Sequence, residues 1–367
     1  MKRAPWAALA LAAALVGCAP DHGETFKRAF AEGERAKVAG RYGEAADKYL
    51  AASRAAKIRR DGDYALYASA MSLADAGDVR GAVLRLEELA KKLPKSEYTA
   101  KAAVDAALLR VRHGEPDRGY QDLEAAMRAY PQEEAALSSL QKLVRRRDAV
   151  SGDAGTLAWL DALREPFGAT RLGETIHFER ARRLRALGKK AEARDAFVDC
   201  ATRWPYPHGA YFDNSLYAAS ELEEELGRPK EAIDLLLRML DEREIAHTMG
   251  SYQRPLYDDA LFRAAKLAED KLGDRARARA LYHRVFTEHT TSILRDDAIW
   301  REAELFRADG DGKASCSRLE DMVDKLPDSR FVPCAIDLCP SIRRPGKSRA
   351  PKECHAYLTR RREAAAE

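Results

Sequence analysis

The side chains of greatest chemical potential in this 367-residue chain are six cysteines and eight histidines. Cys316, Cys334, Cys339 and Cys354 cluster near the end. A structural zinc site usually offers its thiolates as close CxxC pairs, and none is present here. An even group of cysteines in an oxidising compartment reads instead as two disulfides. The histidines are scattered, with no pair at helical ligand spacing. There is no GxSxG, HExxH, phosphate-binding loop or glycine-rich dinucleotide fingerprint. Asp309-Gly310-Asp311-Gly312 opens like a calcium loop but lacks the remaining ligands, so it reads as a turn. These patterns predict a protein that is not an enzyme, with no cofactor, no metal and no small-molecule substrate.

The first cysteine of the chain, Cys18, also has notable surroundings. Lys2 and Arg3 precede an apolar stretch from Trp6 to Val16. It is too short for a bilayer span, which takes roughly 20 residues, but suits a signal-peptide core. Leu15-Val16-Gly17-Cys18 resembles a bacterial lipobox. The resemblance implies that residues 1–17 are a lipoprotein signal peptide and that Cys18 carries acyl chains, which together anchor stably in a membrane. The next residue is Ala19, where Asp tends to retain such proteins in the inner membrane. The outer membrane, periplasmic face, is therefore expected, with the inner membrane as the alternative. The tether over 18–24 reaches only about 20 Å when extended.

Loss of residues 1–17 removes two of the 63 basic residues, leaving 61 against 59 acidic ones. A nucleic-acid binder carries a basic surplus on its domain, so that class is set aside. No further apolar run is long enough to span a membrane.

A search for self-similarity finds one pattern throughout: a Gly-containing turn, then a helix with small, large and again mostly small or apolar residues at fixed offsets. Its clearest instance is GDVRGAVLRLEELAKKLP, with Gly77, Ala82, Leu86, Leu89 and Pro94. The first small residue falls at 45, 82, 119, 193, 232, 278 and 315. Successive differences are 37, 37, 74, 39, 46 and 37, and 74 is twice 37. A degenerate repeat is therefore expected in the gap, anchored on Thr156, Leu160 and Leu163.

These residues resemble the tetratricopeptide repeat (TPR), two antiparallel helices joined by a tight turn. Small residues let the helices approach, the large one fills the groove, and a proline beyond the second helix stops it. The wording is similar to bacterial envelope TPR lipoproteins such as the barrel-assembly lipoprotein and the Tol-Pal coordinator, in repeat style only. The resemblance implies an all-α, right-handed superhelical solenoid of about eight helix-turn-helix repeats over 25–328, with a disulfide-stapled cap and basic tail over 329–367.

Antiparallel packing bears on the cysteines. Three pairings are available to four cysteines. Folding the next helix back on the last repeat places Cys316 opposite residues near 339–340, which predicts Cys316–Cys339 and leaves Cys334–Cys354. Cys200 occupies a core position of its repeat and reads as a buried thiol. The tail from Ser341, with Arg343, Arg344, Lys347, Arg349, Lys352 and Arg360–Arg362, reads as a solvated basic end, with anionic lipid or an acidic partner as the alternative.

Two unusual inter-repeat connections are candidate partner-binding loops. One carries Trp204, Tyr206, His208, Tyr211 and Phe212; the other carries Met249, Tyr252 and Arg254. Aromatics and Arg are frequent interface anchors, although the same rings could pack between repeats. Tyr64, Tyr67 and Tyr98 on the first helices form a second candidate surface. The expected role is scaffolding of envelope proteins, with binding of peptide or glycan beside a wall or secretion machine as the alternative. No nucleic acid is expected as a partner, and the membrane is met through the lipid anchor.

Overall fold

The computed structural model describes residues 21–242, 255–355 and 358. Residues 1–17, Cys18, Met249, Tyr252 and Arg254 lie outside the described residues, as does most of the tail beyond His355. Every regular element among the described residues is an α-helix. In chain order these are α1 (Glu24–Val38), α2 (Tyr42–Ala55), α3 (Arg59–Asp75), α4 (Val79–Lys92), α5 (Thr99–Arg112), α6 (Pro116–Ala129), α7 (Glu134–Phe167) and α8 (Gly173–Ala186). They continue with α9 (Lys190–Arg203), α10 (Phe212–Glu225), α11 (Pro229–Asp241), α12 (Pro255–Asp270), α13 (Arg275–Glu288), α14 (Arg295–Ala308), α15 (Gly312–Lys325) and the short α16 (Val332–Leu338).

The turn chemistry explains the pairing. Gly77 has φ 87°, a left-handed conformation that costs glycine little. Its neighbour Asp78 donates its N–H to the Leu73 carbonyl at 2.9 Å, closing α3. The Asp78 carboxylate accepts the Gly81 N–H at 2.9 Å, opening α4. Asp274 and Asp311 cap α13 and α15 in the same way. The second helices end at Lys92, Ala129, Arg203 and Lys325, each before Pro94, Pro131, Pro205 and Pro327.

The repeat positions form the core. The small residues Ala45, Ala82, Ala193, Ala232 and Ala278 and the large ones Tyr49, Leu86, Leu123 and Leu236 are buried. The degenerate repeat is present: Thr156, Leu160 and Leu163 are 0% exposed. Its turn is hidden within the continuous span of α7, where Gly152 breaks the helix with φ 62° and ψ −174°.

The helices gather into two compact units, divided inside α7. The first takes the chain up to Thr156 and residues Glu165–Gly173; the second takes Leu157–Arg164 and the chain from Glu174 onward. In the second unit, α16 folds back beside α15 and closes the array. Cys316 and Cys339 stand at disulfide distance (1.97 Å), and so do Cys334 and Cys354 (2.00 Å). This is the pairing that antiparallel folding predicts. Cys200 is buried as expected, and burial pushes its thiol up to about 12.

Candidate interaction surface on the first helices

Aromatic side chains recur on the first helix of a repeat, fifteen residues ahead of the small residue of the second: Phe30, Tyr67, Phe178, Tyr217 and Trp300. Three of them stack on a ring that opens the following repeat or, for the last, the cap helix α16. Tyr67 meets Tyr98 at 5.5 Å and 26°, Phe178 meets Tyr211 at 4.2 Å and 9°, and Trp300 meets Phe331 at 4.8 Å and 13°. Tyr98 and Tyr211 stand at the same offset, twenty-one residues before Gly119 and Ala232. Offset stacking at these separations favours one register between neighbouring repeats.

In the first unit these contacts extend into a continuous run. Phe26 touches Phe30 (5.5 Å), Phe30 touches Tyr64 (5.6 Å), Tyr64 touches Tyr98 (5.6 Å), and Tyr98 reaches Tyr67. The run therefore crosses α1, α3 and the start of α5. Beneath it, Phe30 leans on the buried Tyr49, which itself lies against Gly33. A Cβ on Gly33 would come within 2.8 Å of the Tyr49 ring, so a larger residue there would displace it. Tyr67 donates its hydroxyl to Asp105 at 2.6 Å, and Lys101 stands over the Tyr67 ring at 5.2 Å while pairing with Asp105. Burial and the Asp105 carboxylate raise the Tyr67 phenol, so it stays a neutral donor. Tyr64 is the ring most open to solvent, 41% exposed, whereas Tyr67 and Tyr98 are half-buried. Phe26 and Phe30 had no place in the sequence-based surface; the fifteen-residue offset that Phe30 shares with Tyr67 is the signal that finds Phe30, and Phe26 follows one helical turn before it.

The connection from α9 to α10 turns most of its aromatics inward. Trp204 is half-buried with its ring at 5.1 Å from His177, edge-on, and Tyr211 is half-buried on Phe178. Phe212 is 2% exposed and belongs to the core, out of reach of a partner on the surface. The Tyr211 N–H donates to the Glu174 carboxylate at 2.7 Å, whose pKa burial raises against this bond. The backbone doubles back so tightly that a Cβ on Gly209 would lie 1.9 Å from the Trp204 carbonyl oxygen. Among the described loop residues singled out from sequence, only Tyr206, 38% exposed, and His208 face solvent.

A groove of about 770 Å³ in the second unit runs between α13, α14 and α15. Its floor holds Glu302, 4% exposed, bonded to His283 at 3.0 Å. Burial raises the Glu302 carboxyl, with His283 acting in the opposite direction. Arg318 lies 3.4 Å from His283 and pairs with Asp321 at 3.2 Å, and Arg279 pairs with Asp309 while covering Phe306. These charges are met within the protein. Among the described residues no group of three or more His, Cys, Asp or Glu stands where it could hold a metal ion.

Two stretches, residues 64–96 and 259–292, match the tetratricopeptide repeat family model. They cover the α3–α4 and α12–α13 hairpins, and the remaining hairpins bury the same positions. The α3–α4 and α12–α13 hairpins are thus tetratricopeptide repeats. Similar solved structures include the C-terminal part of a TPR repeat-containing protein from Cytophaga hutchinsonii, at 12% identity and TM-score 0.42, covering 73% of this chain and 98% of that one. The apo quorum sensor NprR from B. thuringiensis is 11% identical with TM-score 0.40, covering 87% and 92%. PilW, a type IV pilus biogenesis factor, is 15% identical with TM-score 0.36, covering 65% and 98%. No curated protein matches the chain.

Proposed function

We propose that this TPR protein is a lipid-anchored, periplasm-facing scaffold that holds protein partners of an envelope complex. The observation that supports binding most directly is the continuous aromatic run of the first unit, open at Tyr64 and bordered by the Tyr67 and Tyr98 phenols. A partner's apolar side chain laid on Tyr64 would bury ring faces already held by their neighbours, so little side-chain entropy is lost. Scaffolding is the common use of such repeats, whose extended surfaces receive other proteins. The envelope and the anchor rest on the sequence alone: the basic start, apolar stretch and Leu15–Cys18 motif, with Ala19 favouring the outer membrane.

The test is affinity purification of the full protein from crosslinked envelopes, set against Tyr64→Ala and against a loop variant, Tyr206→Ala with His208→Ala. Tyr64→Ala gives up ring contacts with Phe30 and Tyr98 worth about 0.5–1.5 kcal/mol each. The protein should therefore melt a few degrees lower but stay folded at the temperature of the assay, while the recovered set of proteins falls severalfold or more. Loss with the loop variant alone would move the site to the second unit. Recovery of no protein, even by the unaltered chain, would overturn the scaffold reading and favour a peptide or glycan ligand.

A further inference from the structure

We propose that the disulfide-stapled loop between Cys339 and Cys354 is a docking surface for an anionic phospholipid bilayer, separate from the aromatic face of the first unit. The loop carries Arg343, Arg344, Lys347, Arg349 and Lys352 against one carboxylate, Glu353. That is a net +4, equal to the whole chain's formal charge of +4. Taking five from 63 basic and one from 59 acidic residues leaves 58 of each elsewhere. All five cations are exposed, and none pairs with a carboxylate among the described residues. Elsewhere in the second unit arginines are laced to carboxylates, as Arg263 is to Glu221 and Glu224 and Arg301 to Glu269 and Glu304.

The loop is held in shape before any ligand arrives. Its two ends are tied by Cys339 to Cys316 on α15 and by Cys354 to Cys334 on α16. The Arg349 N–H donates to Asp328 at 2.6 Å, the Ser348 hydroxyl donates to the Pro327 carbonyl, and the Arg344 guanidinium donates to the Ala350 and Pro351 carbonyls. Ile342 and Ala350, 5% and 7% exposed, turn inward beside Phe331 and Val332. Apolar side chains therefore point into the cap and cations point out.

That division selects the ligand class. A protein interface needs a desolvated apolar or aromatic centre, and this loop exposes no large hydrophobic residue. A layer of anionic headgroups needs charge alone, at about 1 kcal/mol for each Lys or Arg near the surface, or about fivefold in partitioning. Nucleic acid would call for a basic surplus on the rest of the unit as well, which the near balance elsewhere does not provide. Seated this way, the cap would hold the second unit against the membrane.

The experiment is co-sedimentation of the purified full chain with vesicles of phosphatidylglycerol and phosphatidylcholine, compared with phosphatidylcholine alone. The variant Arg343→Ala/Lys347→Ala/Lys352→Ala spares Arg344 and both bridges. Removing three cations should weaken binding to the anionic vesicles on the order of 100-fold. Binding to neutral vesicles, where only the common N-terminal segment acts, should stay unchanged. The charge-preserving variant Arg343→Lys/Lys347→Arg/Lys352→Arg should bind like the unaltered chain, and 1 M salt, with a screening length near 3 Å, should lower binding to the anionic vesicles to the level seen on neutral ones. Equal binding by the alanine variant, or no preference for the anionic vesicles, overturns the proposal. So does a variant that binds vesicles normally and instead loses an acidic protein.

Discussion

Replacing Gly119 by alanine looks harmless from the repeat pattern, because Ala45, Ala82, Ala193, Ala232 and Ala278 occupy the same position in other repeats. The local packing gives the opposite answer. A Cβ on Gly119 would lie 2.7 Å from both the Ala107 carbonyl oxygen and the Val111 nitrogen, which belong to the backbone of α5. Backbone cannot move aside by changing rotamer, so α6 and α5 must separate. Overpacking of this kind costs about 1–3 kcal/mol, against a gain of about 0.5–1 kcal/mol from exchanging glycine for alanine in a helix. The net expectation is a loss of about 1–2 kcal/mol. Gly43, in α2 of the same unit, has no atom within 4 Å of its hypothetical Cβ. Gly43→Ala should therefore stabilise by about 0.5–1 kcal/mol. At about 2–4 °C per kcal/mol, the two variants should melt roughly 3–12 °C apart in scanning calorimetry. The contact argument fails if Gly119→Ala melts at or above the unaltered protein, or if both substitutions shift the transition in the same direction.

Acid should loosen the second unit through His177. Burial lowers its pKa below the ordinary 6.5, reinforced by Arg164 and Arg203 and opposed by Asp199. Between that lowered value and 6.5 the unfolded chain holds the extra proton, so stability present above 6.5 is lost as the pH falls. In urea titrations across this range His177→Gln should flatten the slope; an unchanged slope would remove His177 as its origin. For the anchor, metabolic labelling with a palmitate analogue should mark the unaltered protein and leave Cys18→Ser unlabelled, whereas label on both would place acylation elsewhere.

The helix pairs, their number and the buried positions were legible in the sequence because a repeat is a local object. The turn at Gly77 and the cap at Asp78 act within a few residues, and the small residue of each second helix meets the helix just before it. The hidden fourth repeat followed from spacing alone. The cysteine pairing followed too, because folding one short helix back on its predecessor brings Cys316 to Cys339 without reference to anything distant.

What the side chains do at the surface was decided by tertiary structure. From sequence Trp204, Tyr211 and Phe212 could either meet a partner or pack between repeats, and His177, Phe178 and the core take up their rings. The stacking that joins repeats depends on residues at matching offsets in neighbouring first helices, which periodicity shows only once the register is known. Phe26 and Phe30 join Tyr64 and Tyr98 because three helices converge, and Gly119 differs from its alanine counterparts because α5 approaches it more closely. Sequence thus determined which residues are core through their regular spacing, while the distances between helices determined which rings are locked, which remain open, and where one missing methyl group is required.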